Sequence, residues 1–278
     1  MRDSTRRHYL MCRPDNFEVR YSINAWMDPG RPTFPEIGLS QWKWLHDVIV
    51  DLGHRVDLID PLPGLPDMVF AANGALALGE RALVARFRHP QRAEEPAAYL
   101  EWFGSRGYRE VRQAAHVNEG EGDFLVAGGT VLAGTGFRTE PAAHAETARF
   151  FGRPVLGLTL VDPRFYHLDT ALTVLGDDEI MYYPPAFCPA SRELLAARFP
   201  GALAAEEADA AVFGLNALSD GRHVILPRAA GRLAGRLAER GYEPIGVEFT
   251  ELLKAGGGIK CCTLELHGTP PRSLSGPR

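Results

Sequence analysis

The sequence predicts an α/β domain closed into a five-unit propeller of strand–strand–helix–strand repeats. Three observations predict it. Asn73, Asp123, Asp169 and Asn216 each open a similar stretch, and they stand 50, 46 and 47 residues apart, a period typical of repeated architectures. Each stretch begins with two short β-rich runs around a glycine- or aspartate-bearing turn, which is a hairpin signal. The 278 residues are 45% hydrophobic and 23% charged, enough apolar material for a sizeable core and too much for disorder.

The elements follow in order. After Asn73, residues 75–78 and 82–85 flank Gly79-Glu80-Arg81; a helix over 96–106, with Leu100 and Phe103 three apart, leads to a strand at 108–111. After Asp123, residues 124–126 and 131–133 surround Gly128-Gly129. A helix starting at Glu140-Pro141, a favourable N-terminus, runs to Phe151 and precedes a strand at 155–158. The third unit has strands at 171–175 and 180–183 around Gly176-Asp177-Asp178, a helix over 189–199 and a strand at 202–205. Leu194, Leu195 and Phe199 form one stripe on that helix. The fourth has strands at 217–218 and 223–226, a helix over 230–240 ended by Gly241, and a strand at 244–247. The fifth takes strands from both ends, 262–266 and 8–12, with a helix over 39–52 and a strand at 55–59. Residues 1–267 then form a single domain, and the Pro-, Gly- and Ser-rich stretch 268–278 reads as a flexible tail.

Charge and cysteine content narrow the function. Thirty Lys and Arg against 35 Asp and Glu leave a net charge of −5, which argues against nucleic acid held by bulk electrostatics. No apolar run is long enough to cross a membrane, and the first residues carry no apolar leader. The cysteines at 12, 188, 261 and 262 lack a CxxC spacing, so a reduced, cytoplasmic setting is expected. The sequence leaves a homo-oligomer open.

Four segments can carry chemistry. Gly256-Gly257-Gly258-Ile259-Lys260-Cys261-Cys262 runs glycines into a cysteine at a strand start, where Cys261 is either a nucleophile or a small buried residue beside a tight turn. In Phe165-Tyr166-His167-Leu168-Asp169, read as strand, His167 and Asp169 share one face. They suit proton transfer and grip on a cation, or a hydrogen-bonded core. No second His or Cys cluster completes a metal site. Asn118-Glu119-Gly120-Glu121-Gly122-Asp123 is an acidic loop, and Pro66-Asp67-Met68-Val69-Phe70-Ala71-Ala72-Asn73 ends at the equivalent place in its unit. Taken singly, both also read as ordinary turns. A closed repeat brings Asn73, Glu119, His167, Asp169, Asn216 and Cys261 to one end of the axis, where acid, amide, imidazole and thiol share a cavity. Arg86 and Arg138 flank it as candidate carboxylate ligands.

These motifs resemble those of the pentein-fold guanidino-group modifying enzymes: arginine deiminases, dimethylarginine dimethylaminohydrolases and amidinotransferases. The resemblance runs from Met11-Cys12-Arg13-Pro14 to Leu264-Glu265-Leu266, and Gly136-Phe137-Arg138-Thr139 belongs to it. It implies Cys261 as nucleophile, His167 as acid/base, Glu119 and Asp169 as guanidinium ligands, with Glu119 also catalytic in assisting proton movement, and Arg138, ahead of Arg86, on the substrate α-carboxylate. It implies a small guanidino substrate, a covalent thiouronium intermediate, and no metal or organic cofactor. Asn73 stands where many deiminases have aspartate. Its amide adds a donor suited to a ureido oxygen. The segment Tyr21-Ser22-Ile23-Asn24-Ala25-Trp26-Met27-Asp28-Pro29 resembles the arginine dihydrolase branch, with Asn24 as a second amide. The resemblance therefore ranks arginine, taken to citrulline or ornithine, ahead of dimethylarginine. A non-catalytic binder on the same fold, as in the ribosome anti-association factor, is the alternative of a different class.

Overall fold

The structure is a computed structural model and describes residues 2–268; the predicted tail, apart from Gly268, lies outside them. Its strands form five three-stranded blades, each an antiparallel pair followed by a strand parallel to the second. In chain order the elements begin with β1 (His8–Cys12), α1 (Pro35–Asp51) and β2 (Arg55–Ile59). The first complete blade is β3 (Ala75–Leu78), β4 (Arg81–Val84), α2 (Glu95–Ser105) and β5 (Glu110–Gln113). The second is β6 (Phe124–Ala127), β7 (Thr130–Thr135), α3 (Pro141–Phe151) and β8 (Val155–Thr159). The third opens with the single turn α4 (Leu168–Ala171), then β9 (Leu172–Gly176), β10 (Glu179–Tyr182), α5 (Pro189–Arg198) and β11 (Leu203–Ala204). The short α6 (Glu207–Ala210) leads to β12 (Leu218–Ser219), β13 (His223–Pro227), α7 (Gly231–Glu239) and β14 (Glu243–Val247). The chain returns through β15 (Leu264–His267).

The last blade is built from both ends. β15 pairs antiparallel with β1, and β1 pairs parallel with β2. Two registered pairs, Leu266 with Ala77 and His267 with Leu78, join β15 to β3. That link merges two blades into a six-stranded sheet beside three separate three-stranded ones. Among the described residues the strands do not close into a barrel; β9 packs beside β6 and β12 without a shared ladder.

Proline fixes where three of the longer helices start. Pro35, Pro141 and Pro189 open α1, α3 and α5, because the first helical turn has no use for the missing N–H. The helix expected from residue 39 therefore begins four residues earlier. Trp42, Leu45 and Ile49 of α1, Tyr99 and Phe103 of α2, and Leu233 and Leu237 of α7 are buried. Each such burial contributes roughly 1.5–3 kcal/mol. Gly241, at φ 80°, ends α7 as expected. Among the described residues no helix is long and apolar enough to cross a membrane.

Two expectations need correction. His167 and Asp169 do not lie in a strand: His167 caps α4 and Asp169 sits inside it. Four consecutive buried positions from 168 to 171 gave neither period to read. Cys261 likewise precedes β15 by a turn, so the rule that strand neighbours face opposite sides does not apply to Cys261 and Cys262.

Candidate functional site

The glycine run shapes the loop that carries Cys261. Gly256 takes φ 80° and packs on Asn24. A Cβ on Gly258 would stand 2.5 Å from Asn216 Oδ1, so the glycine is there for close approach to another part of the protein. Asn216 then grips the loop: its Oδ1 accepts from Cys261 N at 3.2 Å and its Nδ2 donates to Cys261 Sγ at 3.1 Å. Phe213, at φ 62° in the left-handed region, makes the turn that delivers Asn216. Asp169 Oδ2 lies 3.3 Å from the same sulfur. Burial, then the Asp169 carboxylate, pushes the Cys261 thiol well above its ordinary value. Burial likewise raises Asp169 to about 7. The Cys261 thiol thus points at a buried carboxyl that disfavours its ionisation.

Glu119 binds the other half together. Its Oε2 accepts from Arg138 Nη1 at 2.8 Å and meets His167 Nε2 at 2.7 Å. Burial opposes its charge, but Arg138, ahead of His167, holds the carboxyl well below the usual range. Arg138 also donates to Ile23 O at 2.8 Å, and its guanidinium lies 4.7 Å from the Tyr166 ring centre. The rest of the acidic loop points elsewhere. Asp123 accepts from Thr139 Oγ1 and Leu168 N, and Glu121 turns toward Lys260.

A third group sits across the cavity. Arg92 donates to both Glu95 oxygens at 2.7 and 2.8 Å, to Asn73 Oδ1 at 2.8 Å and to Asp67 O at 3.1 Å. Asp67 Oδ2 accepts from Tyr21 at 2.8 Å. Burial raises Asp67, against the pull of Arg92. A Cβ on Gly122 would stand 2.3 Å from Asn73 Nδ2, so that glycine makes room for the amide. The cavity between these groups is small and is lined by Asn24, Asp67, Asn73, Arg92, Arg138 and Cys261, with Phe70 and Tyr166 among its apolar walls. Asp67 Oδ1, Asn73 Nδ2, His167 Nδ1 and Asp169 Oδ1 are buried here without a hydrogen-bond partner. Buried polar atoms are normally paired, so the site is shaped for a ligand offering several donors and an acceptor.

The residues named from sequence divide accordingly. Cys261, His167, Glu119, Asp169, Asn73, Asn24 and Arg138 come together. Asn24 is tied into its own loop, with Oδ1 accepting from Trp26 N and Nδ2 donating to Ala255 O. Arg86 does not join them: it is exposed and donates through Nε to Ala114 O. Its place is taken by Arg92, which sequence reasoning missed. Five residues, one of them Pro90, separate them, and the short turn Pro90–Arg92 swings Arg92 inward. Among the described residues no group of three or more His, Cys, Asp or Glu is placed to hold a metal ion. EDTA treatment is expected to leave turnover unchanged. A metal-stripped preparation that recovers only with added metal would refute this.

Comparison with known proteins places this arrangement. No family model matches the chain. The N(G),N(G)-dimethylarginine dimethylaminohydrolase of Mycobacterium tuberculosis is 56% identical over 261 residues, covering 94% of this chain and 86% of the relative. The chain belongs to the pentein-fold guanidino-group modifying enzymes. Within that family it is also 38% identical to the bifunctional arginine dihydrolase/ornithine cyclodeaminase ArgZ of Synechocystis, and spans only 37% of that protein's length. A structure of the N-terminal domain of ArgZ with bound substrate superposes with a TM-score of 0.90 at 38% identity, covering 94% of this chain and 98% of that domain. Like its relatives, this pentein is a cysteine-dependent hydrolase of guanidino groups. The ranking of arginine ahead of dimethylarginine is not the order that the 56% identical relative favours.

Proposed function

We propose that the chain hydrolyses an Nω-methylated arginine to citrulline and a methylamine, with Cys261 as the nucleophile. One observation carries the reading. The Cys261 thiol is enclosed, the free acceptor Asp67 Oδ1 stands at the same cavity, and Asp169, whose Oδ1 is also free, touches the Cys261 sulfur. A planar guanidinium supplies the donors they lack and the positive charge that two carboxylates demand. Arg92 and Arg138, both on the cavity wall, are the candidate partners for the α-carboxylate. The name of the 56% identical relative supports the methylated substrate.

The chemistry follows from the charges. A bound guanidinium offsets the Asp169 carboxylate that holds the thiol protonated, so the thiolate forms only when substrate is present. The sulfur adds to the guanidinium carbon. His167, oriented by Glu119, takes the thiol proton as the thiolate forms and delivers it to the departing amine, and an S-alkylthiouronium remains. His167 then takes a proton from water, the hydroxide adds to the same carbon, and the C–S bond breaks to release the ureido product and the thiolate. Residues 1–267 act as one catalytic domain in this reading, because both chain ends contribute to the cavity.

Asn73 favours a second reading, arginine dihydrolase, since its free Nδ2 is placed to donate to a ureido oxygen and admit citrulline to another round. Product analysis with arginine, citrulline, monomethyl- and dimethylarginine separates the two. Dimethylamine and citrulline from dimethylarginine support the first reading; ornithine from arginine supports the second. Turnover of none of them leaves the non-catalytic binder. Should ornithine form, Asn73→Asp is expected to halt the reaction at citrulline. The new carboxylate keeps the Arg92 contact but cannot donate, and loss of one such hydrogen bond costs about 2.7–4 kcal/mol, on the order of a hundredfold or more in rate. An unchanged citrulline-to-ornithine ratio would refute the role of the amide.

A further inference from the structure

One neighbour of the Cys261 sulfur has no part in the chemistry above. Asn216 is fully buried, and its amide makes three bonds that together fix its orientation. Cys261 N can only donate, so the atom 3.2 Å from it is Oδ1; Asp169 O can only accept, so the atom 3.0 Å from it is Nδ2. The other Nδ2 hydrogen is thereby left for Cys261 Sγ, 3.1 Å away. Among the described residues Asn216 is the one side-chain donor on that sulfur, since Asp169 Oδ2, at 3.3 Å, is an acceptor. The backbone goes out of its way to place this amide. Phe213 takes φ 62°, a conformation that bulky residues rarely hold, and the Trp26 ring packs edge-on against it at 4.8 Å. Asn216 N then donates to Phe213 O at 3.0 Å. A tether for the Cys261 backbone would need only the acceptor end of the amide. The donor end, aimed at the reacting atom, calls for a reason connected with the chemistry.

We propose that Asn216 is a further catalytic residue: its Nδ2–H stabilises the Cys261 thiolate, both when the thiolate forms for attack and when it is expelled from the thiouronium. The inference rests on the role proposed above for Cys261. The hydrogen of the thiol faces Asp169, so Nδ2–H meets a sulfur that is still neutral. Its contribution grows once the proton has left for His167, because hydrogen bonds to ionised groups are about twice as strong as neutral ones. A fixed donor aimed where charge develops needs no rearrangement during the reaction. The titratable groups facing the sulfur are Asp169 and Cys262, which oppose its ionisation, with Tyr166 beside them; the Gly258 backbone favours it. Asn216 carries no charge. It therefore favours the thiolate without repelling the guanidinium, as a lysine or a charged histidine in its place would.

The test is kcat against pH in Asn216→Asp and Asn216→Ala. An aspartate of the same shape keeps an oxygen for Cys261 N but, once ionised, gives the sulfur no donor; alanine removes both ends. The thiol must lose its proton to react, so kcat rises with pH as the thiolate forms. Without the donor that rise moves to higher pH by about one unit, and kcat below it falls about tenfold, in both variants. A residue that only tethers the loop behaves otherwise: Asn216→Asp stays close to wild type, and Asn216→Ala loses activity at every pH with the rise unmoved. Either of those results overturns the proposal. If Asn216→Asp does not fold, the position of the rise in Asn216→Ala decides alone. The pH dependence of Cys261 alkylation by iodoacetamide reports the same donor without any guanidino substrate, and its midpoint should move up in both variants. That shift, with no turnover of guanidino compounds, would sink the proposed function and leave this inference standing; turnover of them with unmoved profiles would do the reverse.

Discussion

Cys261→Ser is expected to abolish turnover, by on the order of 10⁴-fold or more, while Cys262→Ser retains most of it. The hydroxyl of serine does not ionise under the influence of a bound guanidinium, so the adding atom is lost even though Asn216 and Asp169 keep a hydrogen-bonding partner. Cys262 is fully buried, and its thiol is raised by burial and then by Cys12, in the core rather than at the cavity. A hydroxyl there costs about 1–3 kcal/mol in an apolar setting, which lowers the melting temperature without touching the chemistry. Kinetics of both variants, with mass spectrometry of the trapped adduct, decide the matter. An adduct mapped to Cys262 together with an active Cys261→Ser would assign the wrong thiol.

Glu119→Gln is expected to lower kcat by about a hundredfold or more, the usual worth of the acid–base step that it supports by orienting His167, and to destabilise the fold. Arg138 is 3% exposed, and among the described residues Glu119 is its one carboxylate partner. Removing the negative charge leaves a buried cation uncompensated, at a cost of about 3–5 kcal/mol. The amide oxygen still serves one donor, but Arg138 and His167 now compete for it. The sign of the pH effect follows from the depressed carboxyl. Its stabilisation is complete above the ordinary value of 4.5 and fades as pH falls toward the folded-state value. Urea midpoints of wild type and variant should therefore differ widely at neutral pH and converge under acid. A constant gap would show that charge is not what Glu119 contributes.

The repeat was legible because it is written in local chemistry. Asn or Asp before each hairpin and glycine within it are choices made by neighbouring backbone, so even the blade split between the two ends could be read from 8–12, 55–59 and the C-terminal strand. The convergence of Asn73, Glu119, His167, Asp169, Asn216 and Cys261 followed from that repeat. What could not be read depended on distant contact. Arg92 and Arg86 look alike in sequence, and only the inward turn after β4, with Glu95 and Asp67 waiting, separates a buried guanidinium from an exposed one. Glu121 looks like Glu119; its partner Lys260 lies 139 residues away. Helix α4 is one turn long and buried all round, so it has no amphipathic signature.

The blade shared by the two ends has a consequence for how the chain is made. During synthesis β1 and β2 emerge first and wait with one edge bare until β15, within the final residues described, is released to cover it. Cys261, the proposed nucleophile, lies in the loop just before β15, so it reaches the cavity only as that last blade forms. A circular permutant that joins residues 268 and 2 by a linker and opens the chain between β11 and β12 would synthesise that blade in one piece. It should close earlier, refold faster and keep the same catalytic cavity.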